Sequence, residues 1–249
     1  MLALLLKPLL GEATAVPNAP GLPSTDAAWV GRFDLAMAPW QELIVRPDLK
    51  PNRFERRSWD GVDALQVHSA ASMSLMARPL HLDLAALPVL CWRWRVEASI
   101  SKADMRVREG DDYAARVYVS FKLPDAAMSF SLKAKLGLAR AIWGKELPDA
   151  AINYVWDNRQ AIGTERPNAY TDRAIMHVLR SGDSQAGHWV EERRNVREDV
   201  ARLFSKDAQA VQLAVTADTD NTGGLAQAGF ADFHFVPASS ACQFGPILK

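Results

Sequence analysis

Three arginines and a tyrosine sit at alternate positions in two apolar segments of this chain, and they are the residues best placed for chemistry. In "VLCWRWRVEA" (89–98), an extended backbone points Trp92, Trp94 and Val96 one way and Cys91, Arg93 and Arg95 the other. In "GDDYAARVYVSF" (110–121), the same alternation gives Tyr113, Ala115, Val117, Val119 and Phe121 an apolar face, opposite Asp112, Ala114, Arg116, Tyr118 and Ser120. If the two strands share a sheet, Arg93, Arg95, Arg116 and Tyr118 gather on one surface beside Asp112. A guanidinium offers a fork of donors to paired oxygens and a nearby ring can stack, so this surface suits a polyhydroxy or carboxylate-bearing ligand, a carbohydrate above all. The competing reading is a structural ion network in which Asp111, Asp112, Glu97 or Glu191 satisfies the arginines.

A second candidate lies in "VTADTDNTGG" (215–224). Asp218, Asp220 and Asn221 present oxygens within four residues of a glycine-ended loop, which suits a hard cation such as Ca2+. The segment is not an EF-hand loop, because the twelfth position from Asp218 is Gly229 and no helices are expected to flank it. The alternative is a tight turn in which Asp and Asn side chains bond their own backbone.

Established catalytic signatures are absent. The five histidines, His68, His81, His177, His188 and His234, are scattered, with no HExxH, G-x-S-x-G or P-loop pattern. A glycosidase needs two carboxylates on facing segments, and adjacent pairs such as Asp111 with Asp112 or Glu191 with Glu192 point opposite ways on a strand. A hydrolase or lyase using an arginine beside Asp112 or Glu191 is the enzymatic alternative, and a non-catalytic envelope interaction protein is another.

The elements that would position these residues are short and mostly extended. Alternating segments at 40–45, 52–59, 64–69, 72–82, 89–98, 113–121, 151–156, 174–181, 188–196, 210–217 and 230–236 predict a mainly β fold, an antiparallel β-sandwich of jelly-roll type. Asp60-Gly61 between two such runs is a hairpin signal. Tyr154 and Trp156 read as core. Helical spacing at Leu132, Leu136, Ala139 and Trp143 predicts a helix within 129–147, and Val196, Val200 and Leu203 predict another over 195–204 with Asn195 as its N-cap. No repeat or change of composition divides the chain, so 29–249 reads as one sandwich domain.

The 249 residues are 49% hydrophobic, enough for a well-buried core, and 29 basic residues balance 29 acidic ones. That balance argues against nucleic acid as a partner. Two cysteines, Cys91 and Cys242, lack zinc spacing and leave one disulfide open. The opening "MLALLLKPLLGEATAVPNAPG" is leucine-rich, with Ala13-Thr14-Ala15 resembling a cleavage signature, so 1–28 reads as a leader and linker and the expected location is periplasmic or secreted; Lys7 interrupts the leucines and no basic region precedes them, which leaves a cytoplasmic location as the alternative. The leucine run is too short to span a bilayer, so no integral membrane segment is expected.

The blocks "CWRWRVEA", "EGDDYAARVYVSF", "INYVWDN", "HWVEERRNVREDVARLF" and "TADTDNTGG…GFADFHF", in this order from Trp40 to Phe235, resemble the bacterial domain of unknown function 3047 family. The resemblance implies export and a strand pattern similar to jelly-roll carbohydrate-binding modules. It carries over no catalytic residue.

Overall fold

A computed structural model describes residues 27–34, 37–143 and 147–245. The leader and linker read at 1–28 fall almost wholly outside the described residues, as does the end of the first helical segment. The strands are β1 (Ala28–Gly31), β2 (Gln41–Leu43), β3 (Arg53–Trp59), β4 (Val62–Ala70), β5 (Leu75–Pro79), β6 (Val89–Val96), β7 (Tyr113–Lys122), β8 (Ala150–Asp157), β9 (Glu165–Asn168), β10 (Thr171–Ser181), β11 (Val190–Asn195), β12 (Gln209–Asp218) and β13 (Leu225–Val236). Helix α1 (Phe130–Trp143) lies between β7 and β8, and α2 (Val196–Leu203) follows β11.

The strands form two sheets. The six-stranded sheet runs β11-β6-β13-β4-β3, with β1 also paired to β13, and the seven-stranded sheet runs β2-β5-β12-β7-β8-β10-β9. The expected antiparallel β-sandwich forms, with one departure: β8 and β10 run parallel. The physical reason is that β9, paired antiparallel with β10, carries the chain back between them and reverses the approach of β10. The predicted hairpin forms: β3 and β4 pair across Asp60-Gly61, both with positive φ, 50° and 75°, as a two-residue turn of this type requires. Asn195 caps α2 by accepting from the Glu198 N–H at 3.1 Å.

The core is the space between the sheets. Trp92 and Trp94 on β6 meet Tyr154 and Trp156 on β8, with ring centroids 5.6 and 5.7 Å apart, and Trp92 stacks on Phe233. All five rings are essentially inaccessible, so each removes a large apolar area from water. This packing fixes the direction of both arginine-bearing strands: whatever alternates with the core residues must leave the sandwich. Across the outside of the six-stranded sheet, residues 237–245 are held by a disulfide between Cys91 and Cys242 and by Arg193 donating to the Ala238 carbonyl at 2.6 Å. Among the described residues, no helix is long and apolar enough to cross a membrane.

Candidate functional site

The arginines expected to share a surface do not. β6 belongs to the six-stranded sheet and β7 to the seven-stranded one. Their inward faces meet in the core, so Arg93 and Arg95 project from one outside of the sandwich and Arg116 and Tyr118 from the other. Arg93 is 3% exposed, covered by the C-terminal segment: it donates to the Gly245 carbonyl, pairs with Glu191 at 3.0 Å and Asp232 at 3.3 Å, and lies over the Phe244 ring. Arg95 stacks on Trp59 at 4.2 Å and pairs with Asp60 and with Glu97 at 2.6 Å. Gly229 makes this stack possible, since a Cβ there would meet Trp189 at 2.8 Å and Trp59 at 3.1 Å. For these two arginines the structural ion network is what the fold builds, and they leave the candidate site.

Arg116 and Tyr118 instead join the residues of the second candidate. The outer face of the seven-stranded sheet carries a cleft of about 300 Å³ floored by Arg116, Tyr118 and Asn153 from β7 and β8. Val45, Arg46 and Leu49, after β2, line it together with Met73 and Leu75; Asn168, Tyr170 and Ala174 of the β9–β10 hairpin line it as well. Asp111, Asp218, Asp220 and Asn221 complete it. Tyr170 is fixed in place, receiving a bond from Asn221 Nδ2 at 2.6 Å and donating to the Arg108 carbonyl at 3.2 Å, yet remains 48% exposed. Asn168 donates to Asp111 at 2.7 Å.

One backbone irregularity shapes the floor. Arg116 pairs with Thr216 but Tyr113 with Asp218, so β7 spends three residues where β12 spends two. This bulge turns Tyr113 out of the expected apolar face. Its ring lies 4.7 Å from the Arg116 guanidinium, which is also 4.9 Å from the Tyr118 ring, and Ala114 enters the core in its place.

The charges on the floor are close and buried. Arg116 donates to Asp218, and Asp111 lies 4.0 Å away. Burial pushes the Asp218 carboxyl up to about 7, against the opposing pull of Arg116. Burial works against the Arg116 charge too, but Asp218, Tyr118 and Asp111 hold it well above the usual arginine value. Asp220 is also raised, first by burial and then by Asp112. Two buried polar atoms, Arg116 Nε and Asn153 Oδ1, have no hydrogen-bond partner among the described residues.

The candidate cation ligands come together only in part. Oxygens of Asp112, Asp218 and Asp220 lie within 4.8 Å of one another. Those of Asp112 already accept the Asn221 and Thr222 N–H groups at 3.1 and 2.7 Å, and those of Asp218 accept Tyr113 N–H and Arg116. The Asn221 amide donates to the Arg108 carbonyl and to Tyr170. These partners are those of a capped turn and an ion pair, and a cation there would have to displace Arg116. Asp112 is therefore a clamp on the 219–224 loop rather than a ligand-facing group. Glu191, the other carboxylate considered for catalysis, lies on the opposite outside of the sandwich with Arg93.

Sequence reasoning missed Asn168 and Tyr170. They lie in "ERPNAYTDR", where Pro167 obscures the strand pattern; proline is tolerated because β9 is the edge strand.

These features define a class: a two-sheet β-sandwich with a polar cleft on the outer face of the larger sheet. The chain belongs to a family described as protein of unknown function (DUF3047), whose model matches residues 38–234. No curated protein matches it. Among solved structures it is similar to the xyloglucanase domain of NopAA, a type three effector from Sinorhizobium fredii, in complex with cellobiose. The identity is 10% and the TM-score 0.39, over 82% of this chain and 100% of that one, a likeness too distant to carry over any residue or activity.

Proposed function

We propose that the cleft over Arg116 binds a neutral carbohydrate. The observation that carries this reading is the make-up of the cleft: Asn153 and Asn168, a buried Arg116 and the ring of Tyr170 converge on one concavity. Planar amides and guanidinium match vicinal hydroxyls, and a half-exposed ring offers a face for a sugar to stack on. Charge selects against an acidic ligand. The Arg116 guanidinium is already engaged by Asp218 and has Asp111 4.0 Å away, and Asp112 and Asp220 stand close by, so a carboxylate or phosphate entering the cleft finds acidic neighbours and few free donors. The carboxylate-bearing ligands considered from sequence are thus disfavoured. The Cys91–Cys242 disulfide supports export to the periplasm or beyond, since such bonds persist in oxidising compartments.

Thermal melting against neutral and acidic oligosaccharides, with Ca2+ or chelator in parallel, tests the reading. A ligand at about a hundred times its Kd adds about 2.7 kcal/mol to stability. A neutral glycan should raise the midpoint and Tyr170→Ala should abolish the shift, while acidic glycans and Ca2+ leave it in place. If no neutral glycan shifts the midpoint, the reading fails.

The second reading is hydrolysis, favoured by two raised carboxyls, Asp218 and Asp220, in one cleft with oxygens within 4.8 Å. Retaining glycosidases place their pair about 5–5.5 Å apart. Release of reducing ends from a bound glycan, lost in Asp220→Asn, would establish it; binding without release leaves the first reading standing.

A further inference from the structure

The cleft does not end at Arg116. A second cavity of about 300 Å³ is lined by Ser120, Asp149, Ala151 and Arg173 and shares Ala174 with the first. A third of about 590 Å³, bounded by Lys135 and Leu136 of α1, shares Leu136, Thr171 and Arg173 with the second and Tyr170 with the first. The three adjoin one another through these shared residues, in a row over the seven-stranded sheet. The first cavity alone reaches from Leu75 on β5 to Ala174 on β10, four strand steps across the sheet. At about 4.8 Å per step this puts its outermost walls roughly 19 Å apart, wider than one sugar ring, and the adjoining cavities extend the surface further. From there the row turns along the strands, past Ser120 and Arg173, to the α1 side.

Polar groups continue along this path. Arg173 donates to the Asp149 carbonyl at 2.9 Å and lies over Phe204 at 5.1 Å, while its Nη2 has no hydrogen-bond partner among the described residues. Lys135 and Asp172 stand exposed on either side. Basic and acidic groups both line the extension, so it offers hydrogen bonds to hydroxyls without a field that would select one sign of charge.

We infer that this row of cavities binds a glycan chain, several sugar units occupying the Arg116 cleft and the extension beside α1 together. The inference rests on the carbohydrate reading of the Arg116 cleft and adds the size of the ligand and a second contact region around Arg173 and Lys135. A chain filling both regions makes more contacts than a short one filling either, so affinity rises with chain length until the row is full.

Calorimetric titration of the full chain with cellobiose and cellohexaose, xylobiose and xylohexaose, and mannobiose and mannohexaose tests it. In the series that binds, the hexasaccharide should bind at least about tenfold more tightly than the disaccharide. Arg173→Ala should bring the hexasaccharide close to the disaccharide affinity and leave the disaccharide unchanged. Lys135→Ala, on an exposed part of α1, is the second variant should loss of Arg173 disturb the packing on Phe204, and it should weaken only the longer ligand. Equal affinity for the two lengths overturns the inference and leaves the carbohydrate reading intact. Absence of binding in all three series overturns both.

Discussion

Replacing Asp218 with asparagine tests whether the floor of the cleft holds a proton. Burial pushes this carboxyl from an ordinary 3.8 up to about 7 even with Arg116 as its partner. A folded-state value above the unfolded one stabilises the fold fully below about pH 3.8, and that contribution is lost as pH rises through about 7. A gap of about three units corresponds to roughly 4 kcal/mol, at about 1.4 kcal/mol per unit. The Asp218→Asn variant has nothing to titrate at this position and keeps an oxygen for the Tyr113 N–H. The stability of the wild type relative to the variant should therefore fall by roughly 4 kcal/mol between about pH 4 and pH 8. Urea unfolding followed by tryptophan fluorescence reads this, since Trp92, Trp94 and Trp156 are buried. Taking the difference cancels groups of opposite sign such as Glu165, which Arg202 holds below the usual carboxylate range. A flat difference would refute the reasoning. A difference that rises with pH would do so more sharply, for it would mean that Arg116 keeps Asp218 ionised.

Removing the disulfide through Cys91→Ala with Cys242→Ala should cost about 5 kcal/mol, because the bond closes a loop spanning 151 positions; an unchanged urea midpoint would show that it does not constrain the chain. Arg95→Met should cost about 1–2 kcal/mol, mostly the stack on Trp59, since Asp60 and Glu97 are exposed enough to rehydrate. The same variant should bind glycans as the wild type does, and loss of binding with an intact fold would move the ligand to the six-stranded sheet. Asp112→Ala should cost about 3 kcal/mol by leaving the Asn221 and Thr222 amides without an acceptor, and should speed their hydrogen exchange; unchanged protection there would remove its role as a clamp.

Much of the fold was legible because half-buried strands write their burial as alternation. The Trp92–Trp94 face, the Tyr154–Trp156 face, the Asp60-Gly61 turn and the Asn195 cap all follow from local rules and all form. β1 is four residues long and β9 contains Pro167, too little pattern to read. Tyr113 was misplaced because alternation presumes even pairing, and the bulge opposite Thr216–Asp218 breaks it. The site was legible only in pieces. Which sheet receives β6 is decided by β13, more than a hundred residues on, while β7 is taken by β8 and β12, so Arg93 and Arg95 could not be separated from Arg116 by inspection. The same remoteness hid the union of Arg116 with Asp218, two residues raised as separate candidates whose side chains meet across the β7–β12 pairing.

The position of β13 has a consequence for how the protein is made. This strand, spanning Leu225–Val236, lies inside the six-stranded sheet, where β6 flanks it on one side and β4, then β1, on the other. Until it has been synthesised, β6 and β4 have no common neighbour, β1 has no partner, and one wall of the tryptophan core is missing. A nascent chain halted before residue 225 should thus lack a closed six-stranded sheet, with β4 and β6 open to protease on the side that β13 would cover, although every strand of the seven-stranded sheet is already present. The smaller sheet therefore closes around its latest strand, and the order in which the two sheets are completed differs: the larger needs nothing beyond Asp218.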